Sequence, residues 1–297
     1  MSKIIKLENS DLQVEISITG AEVRSIVRKY DGREYIWNGD PSFWKRFAPV
    51  LFPLVGNFKD KKYKYQDKEY QMGQHGFARD MEFDVLSEVE NYAEFVLYSN
   101  EGTKENYPFD FELHISYMLE DNRLSTNLTV VNSGDKELYF SIGGHPAFMI
   151  PKNKAGEQSI DNGSYLLMED VETLNYKLID ENGLAVDDIH RIDLDDGYLP
   201  LSKALFENDA LIIEKSGIRN VTLCDHEKVA SLSVEFHTPV FGLWAPAGKE
   251  SPFICIEPWY GRCDGVAFHG ELCDREYGNR LPEGAEFSGG YDIIVEM

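Results

Sequence analysis

The chain has 297 residues, 42% of them hydrophobic and 12% aromatic, enough for a sizeable core and far from a disordered composition. Its 29 basic against 52 acidic residues leave a formal charge of −23, which argues against nucleic acid and anionic membranes as partners, since both need a basic face. No stretch approaches the length of a membrane-spanning helix, and Ile4, Ile5 and Leu7, interrupted by Lys6, are too few for a signal-peptide core; the expectation is a cytoplasmic protein.

Along the chain, period-two alternation dominates. Leu12, Val14, Ile16 and Ile18 share one face of a predicted strand. Pro41-Ser42 reads as an entry signal for a short helix over Phe43 to Phe47. Next comes Trp44 to Gly56, an apolar run broken by Pro49 and Pro53, which excludes an ordinary central strand. Tyr63, Tyr65, Tyr70 and Met72 flank Asp67-Lys68 as a hairpin. Phe111 to Leu119 alternates cleanly, turns at Asp121-Asn122-Arg123 and continues through Leu124, Thr126, Leu128 and Val130. The polar stretches 152–163 and 187–200 read as long loops. Leu232 to Phe236, Phe253 to Glu257 and Tyr291 to Val295 complete the strand set. Many short strands between turn signals, with no solenoid-length repeat, predict an all-β sandwich in one domain spanning 1–297.

Four segments carry candidate chemistry. In Gly-Gly-His-Pro-Ala-Phe (143–148), alternation puts Gly143 and His145 on one face, so an empty position is expected beside a titratable imidazole. In Gln74 to Asp80, His75 and Arg79 stand four apart around a glycine; they either hold polar groups of a ligand or belong to a surface loop with an Arg–Asp pair. Arg46 is either a clamp for hydroxyl or carboxylate oxygens or an arginine snorkelling over Trp44 and Phe47. In Phe253 to Gly261, Glu257 ends an apolar strand on the face of Phe253 and Cys255, where it must pair with a cation or have its pKa raised by burial. Trp259 and Tyr260 follow at once, and flat rings suit the apolar face of a sugar. Asp209 is a weaker candidate, because Asn-Asp is also ordinary turn chemistry.

His114, His190, His226, His237 and His269 read as structural or exposed. No His-x-His or Glu-x-x-His spacing supports a metal centre, and no nucleophile elbow, P-loop or dinucleotide fingerprint is present. Cys224, Cys255, Cys263 and Cys273 include no Cys-x-x-Cys pair and read as reduced thiols. No metal or cofactor is expected.

Taken in order, WKRFAPVLFPLVG, QHGFARD, GGHPAF, FENDAL, FGLWAP and FICIEPWYG resemble the aldose 1-epimerase (galactose mutarotase) family, most closely its LacX-like branch. The resemblance spans nearly the whole chain and implies the large antiparallel β-sandwich, or supersandwich, of that family. By resemblance His145 matches the general acid and Glu257 the general base. Arg46 and His75 match substrate-orienting positions, Asp209 a carboxylate that binds a sugar hydroxyl, and Arg79 an arginine suited to phosphate in related hexose-6-phosphate mutarotases. The segment after His145-Pro146 departs from the galactose-specific pattern, which leaves the sugar open.

The residue types fit the reaction. Mutarotation removes a proton from the anomeric hydroxyl and delivers one to the ring oxygen, and a carboxylate with an imidazole can do both without a cofactor. The expected partner is a hexose or hexose phosphate. The alternatives are a hexose-6-phosphate mutarotase, a non-catalytic carbohydrate-binding protein on the same fold, and a glycoside hydrolase pairing Glu257 with Asp209. Both monomer and homodimer are compatible with the sequence.

Overall fold

A computed structural model describes residues 2–297. It is mostly β, built from antiparallel sheets. The largest has nine strands, in the spatial order Tyr198–Pro200, Tyr165–Leu167, Asn220–Cys224, Ala230–Phe236, Glu286–Val295, Arg123–Asn132, Phe111–Glu120, Tyr92–Tyr98 and Asp84–Val89. Its central hairpin follows the sequence closely. Glu120 pairs with Arg123 across the two-residue turn Asp121-Asn122, and Leu113, Ile115, Tyr117 and Leu119 are buried while their neighbours are half-exposed. That one-sided burial is what alternation demands of a sheet covered on a single face.

A second sheet of six strands lies against this one. Its path runs Leu211–Glu214, Val240–Trp244, Phe253–Tyr260, Ile142–Gly144 and Val50–Leu51, with Ala147–Met149 also paired to Phe253–Tyr260. The layers meet where Tyr260 packs on Phe287 and its hydroxyl donates to the Gly290 carbonyl at 3.1 Å. Phe253–Tyr260 is buried on both faces. Ile254 and Ile256 point into the main core, whereas Phe253, Cys255, Glu257 and Trp259 emerge on the other side. The second face of this strand is the floor of the site described below. A four-stranded sheet, from Ile4–Glu8 to Arg33–Glu34, adds its apolar face to the same core.

Four sequence expectations change. Residues 43–47 form no helix; a single turn closes when the Phe43 and Trp44 amides donate to the Asp40 carbonyl. It stops there because the Phe47 and Ala48 amides are captured by the buried Glu22 carboxylate at 2.9 and 3.0 Å. The tyrosine hairpin turns one residue earlier than expected, at Gln66-Asp67, where both residues have positive φ (51° and 59°) and Tyr65 pairs with Lys68. Residues 187–200 are not a plain loop: they contain the strands His190–Asp193 and Tyr198–Pro200. Alternation also misses the one α-helix among the described residues, Glu101–Asn106, whose signal is its capping box between Asn100 and Thr103. Among the described residues no helix is long and apolar enough to cross a membrane.

Candidate active site

The two motifs singled out in the sequence are cross-strand neighbours. Gly143 pairs with Trp259 and Ala147 with Cys255, so the register carried across the Pro146 interruption sets His145 opposite Glu257. His145 Nε2 lies 3.2 Å from Glu257 Oε2, and both side chains are almost wholly buried. The two atoms are close without the alignment of a hydrogen bond. Glu257 Oε2 and His145 Nδ1 have no hydrogen-bond partner. Buried polar atoms are normally satisfied, so two orphans on adjacent side chains mark a place prepared for something else.

That place is a cavity of about 220 Å³, floored by His145, Glu257 and Trp259 and walled by His75, Arg79 and Trp244. Asp209 stands at its solvent-exposed rim with a positive φ of 70°. A liquid water occupies about 30 Å³, so the cavity holds the equivalent of about seven waters, suited to one small polar ring. A wider groove of about 1050 Å³ lies outside and shares Gln74, Ile179, Gly183 and Asp209 with it, but contains neither His145 nor Glu257.

Local backbone explains how each side chain arrives. The His145 amide donates to the Pro49 carbonyl at 3.0 Å and the Ala147 amide to the Phe47 carbonyl at 2.9 Å, which ties the 47–49 stretch to the motif. Trp44 is thereby laid on the His145 ring, with centroids 4.7 Å apart and planes 25° apart, while the Trp37 indole donates to the Trp44 carbonyl. Trp244 and His75 meet the His145 ring edge-on at 5.6 Å. His75 has a positive φ of 64°, and its Nδ1 accepts the Gly56 amide at 3.0 Å. That bond assigns the proton to Nε2, leaving a donor on this cavity residue.

The expected vacancy beside His145 is filled by protein. A Cβ on Gly143 would lie 2.8 Å from the Trp259 ring and 2.6 Å from the Pro258 carbonyl oxygen. A Cβ on Gly242 would lie 2.5 Å from the same indole, so both glycines make room for Trp259 and not for a ligand. Arg46 does not line the cavity; its Nη2 donates to both oxygens of Asp80, at 3.0 and 3.1 Å. Arg79 does line it, with one nitrogen donating to the Gln74 carbonyl and a buried Nε that has no hydrogen-bond partner and lies 3.8 Å from Asp80 Oδ2.

Burial sets the electrostatics. Desolvation, reinforced by Arg79 and Arg46, pushes the His145 imidazole down to about 3, and His75 is likewise held well below the imidazole range by burial and by His145. Burial, then the nearby Asp209, raises Glu257 well above the usual carboxylate range, with the Trp259 indole opposing. Asp209 is itself raised, chiefly by the protein packed on its inner side. An empty cavity thus favours neutral imidazole beside a protonated carboxyl: one proton on the pair, resting on Glu257.

Sequence reasoning missed Trp44 and Trp244 as site residues, although both lie inside motifs it had marked. Cys255 was also passed over; its sulfur and one donor atom each of His145 and Glu257 lie within 4.8 Å of one another, a set able to hold a metal ion. The stacked Trp44 face should stabilise a protonated His145 by about 0.5–2 kcal/mol. Trp44→Ala is therefore expected to lower the turnover of any reaction that protonates His145 by roughly two- to thirtyfold, and Trp44→Phe by less. Steady-state rates of the two variants on one sugar check this.

Comparisons with known proteins agree with this architecture. Residues 3–271 match the model of the family described as aldose 1-epimerase. The chromosomal LacX protein of Lactococcus lactis subsp. lactis is 34% identical over 307 aligned positions, covering 98% of this chain and 99% of that protein. A galactose mutarotase related enzyme from Lactobacillus acidophilus superposes with a TM-score of 0.92 at 33% identity, over 99% of this chain and 98% of that one. A galactose mutarotase-like protein from Lactobacillus casei gives 0.91 at 31% identity, over 99% of this chain and 100% of its own. With the fold, the motif order and full-length relatives in accord, the chain belongs to the aldose 1-epimerase family, whose membership implies a sugar ligand.

Proposed function

We propose that this protein acts in the cytoplasm and interconverts the α and β anomers of a hexose by acid–base ring opening and closure. The observation that carries the reading is the buried His145–Glu257 pair, 3.2 Å apart at the floor of a one-ring cavity. In the roles the family resemblance gives them, the pair's one proton first passes from Glu257 to His145 across their 3.2 Å separation as the sugar binds; the Glu257 carboxylate then takes the proton of the anomeric hydroxyl while the His145 imidazolium delivers one to the ring oxygen. The C1–O5 bond breaks, the open-chain aldehyde rotates about C1–C2, and the ring closes on its other face with both proton transfers reversed. The pair begins and ends with one proton, so the cycle needs no external acid or base.

The other groups suit orientation. His75 offers its Nε2 proton, Arg79 its guanidinium, Asp209 an acceptor at the rim, and Trp259 a flat face for the apolar side of the ring. A protein that only bound sugar would have no use for a carboxyl buried without a full set of partners, since that burial is costly. The glycoside-hydrolase reading rests on the rim residue Asp209 alone. Polarimetry on fresh α-glucose, α-galactose and a panel of other aldoses tests the proposal. Accelerated equilibration supports it; saturable binding with no acceleration across the panel would leave a binding protein.

A second reading, that the sugar is phosphorylated, draws on Arg79, which lines the cavity and whose buried Nε has no hydrogen-bond partner. Charge-assisted hydrogen bonds are worth about 1.5–3 kcal/mol. On that reading Arg79→Ala lowers kcat/KM for a hexose 6-phosphate by roughly ten- to hundredfold and leaves the free hexose within a few-fold. Inorganic phosphate at millimolar levels would compete with the sugar. Equal losses on both sugars, with no phosphate competition, would assign Arg79 to the neutral ring.

A further inference from the structure

The floor residues His145 and Glu257, with Cys255 packed beside them outside the cavity lining, form a donor set with chemistry beyond proton transfer. Cys255 and Glu257 leave the Phe253–Tyr260 strand on the same face, two residues apart, and His145 stands across from Glu257 in register. One donor atom from each of the three lies within 4.8 Å of the other two, and all three side chains are buried. A tetrahedral zinc ion holds thiolate at about 2.3 Å and imidazole or carboxylate at about 2.0–2.2 Å, so its ligands sit roughly 3.5 Å apart. The cluster reaches that spacing by contracting about 1 Å. Coordination capacity is also unspent, because Glu257 Oε2 has no hydrogen-bond partner. His145 and Glu257 line the cavity, so a water there can complete the fourth position.

We propose that His145, Cys255 and Glu257 form a reversible, inhibitory site for a soft divalent cation, of which zinc fits best. Zinc with one thiolate, one carboxylate and a neutral imidazole is uncharged overall, which suits a site closed to bulk water. Burial and the neighbouring Glu257 hold the Cys255 thiol protonated in the empty protein, so the ion displaces the thiol and carboxyl protons to solvent, about two protons per ion. Arg79 and Arg46 oppose the incoming charge and Asp209 favours it. The second His145 nitrogen lacks the carboxylate or carbonyl partner that steadies resident metal ligands. The ion is therefore an exchangeable inhibitor and not a built-in cofactor. It occupies both groups that mutarotation needs; this consequence rests on the function proposed above, while the binding itself does not.

The test uses the full-length protein after treatment with a chelator. Zinc is titrated against a chromophoric indicator, and cobalt(II) serves as a spectroscopic probe of thiolate ligation. Expected are saturable zinc binding at or below roughly 10 μM with proton release, and a thiolate-to-cobalt absorption band that a saturating sugar suppresses. Mutarotation is inhibited over the same zinc range. Cys255→Ala keeps its mutarotase rate, loses the cobalt band and binds zinc at least about tenfold more weakly. If the alanine variant does not fold, Cys255→Ser answers the same question. Absence of saturable zinc binding, absence of a thiolate–cobalt band, or unchanged affinity without Cys255 overturns the site. A protein that binds zinc as expected yet never accelerates mutarotation keeps the site and loses only the inhibitory role.

Discussion

Glu257→Gln and His145→Asn are each expected to lower the mutarotation kcat by about 10²–10⁴-fold, the usual contribution of a positioned acid or base. The melting temperature should not fall with the rate. Glu257 is buried with an unpartnered oxygen and a raised pKa. Its folded form therefore holds a proton that the unfolded chain releases above 4.5, the ordinary carboxyl value. By linkage, stability declines as pH rises from 4.5 through the raised value. Glutamine keeps the shape and removes that penalty, so Glu257→Gln should melt at or above the wild-type temperature. Single-turnover polarimetry with thermal melts followed by circular dichroism checks both halves. Near wild-type kcat in either variant would remove that residue from proton transfer; an equal collapse of rate and stability would make it structural.

How far the sequence could be read depended on which physical signal each feature carries. The Phe111–Glu120 and Arg123–Asn132 hairpin was legible because one covered face imposes alternation, and its turn was correctly placed. Alternation also placed Phe253, Cys255 and Glu257 on one face of a strand that is buried on both sides. The His145–Glu257 partnership was suggested only by family resemblance, because a register linking residues over a hundred positions apart leaves no local trace. The positions of Trp44 and Arg46 were misjudged for a related reason. A helix entry signal at Pro41-Ser42 lost to Glu22, a distant buried carboxylate that captures the Phe47 and Ala48 amides. Arg46 then turned to Asp80, and Trp44 was laid over His145. Gly143 was recognised as a space, but whether a space takes a ligand or a tryptophan is a tertiary fact: Trp259 occupies it, as it does the one at Gly242.

The placement of the pair also bears on its chemistry. His145 sits in the two-residue break between Ile142–Gly144 and Ala147–Met149, both paired to Phe253–Tyr260, so the ladders on either side hold it opposite Glu257. The proton donor and acceptor thus sit on or directly between paired strands of the six-stranded sheet. Asp209, at the rim on a turn with positive φ, is on a more variable element. Division of labour follows: the floor fixes the reaction, and the rim and walls, with His75, Arg79 and Asp209, decide which sugar is accepted.

The pH profile of kcat/KM should be a bell whose acid limb lies below the free imidazole value and whose alkaline limb lies above the free carboxyl value. The working state carries one proton on the pair. On the acid side it is lost when His145 is protonated as well, and burial with Arg79 and Arg46 pushes that event from 6.5 down to about 3. On the alkaline side it is lost when Glu257 ionises without His145 taking the proton, and burial with Asp209 moves that well above 4.5. Activity should therefore plateau between the two limbs, with about a tenfold loss per pH unit beyond each. Folding limits the acid end, because the unfolded chain protonates its histidines near 6.5 while folded His75 and His145 resist. That part of the stability is complete above 6.5 and is lost as pH falls toward about 3. Rates must accordingly be taken only where circular dichroism reports the native fold. In Arg79→Ala the acid limb should rise, since a positive charge that opposes protonation of His145 is gone, and in Glu257→Gln the residual rate should lose its alkaline limb. An acid limb at the ordinary imidazole value in the folded wild type would mean that His145 titrates in contact with solvent, and that the cavity floor is wet and not sealed.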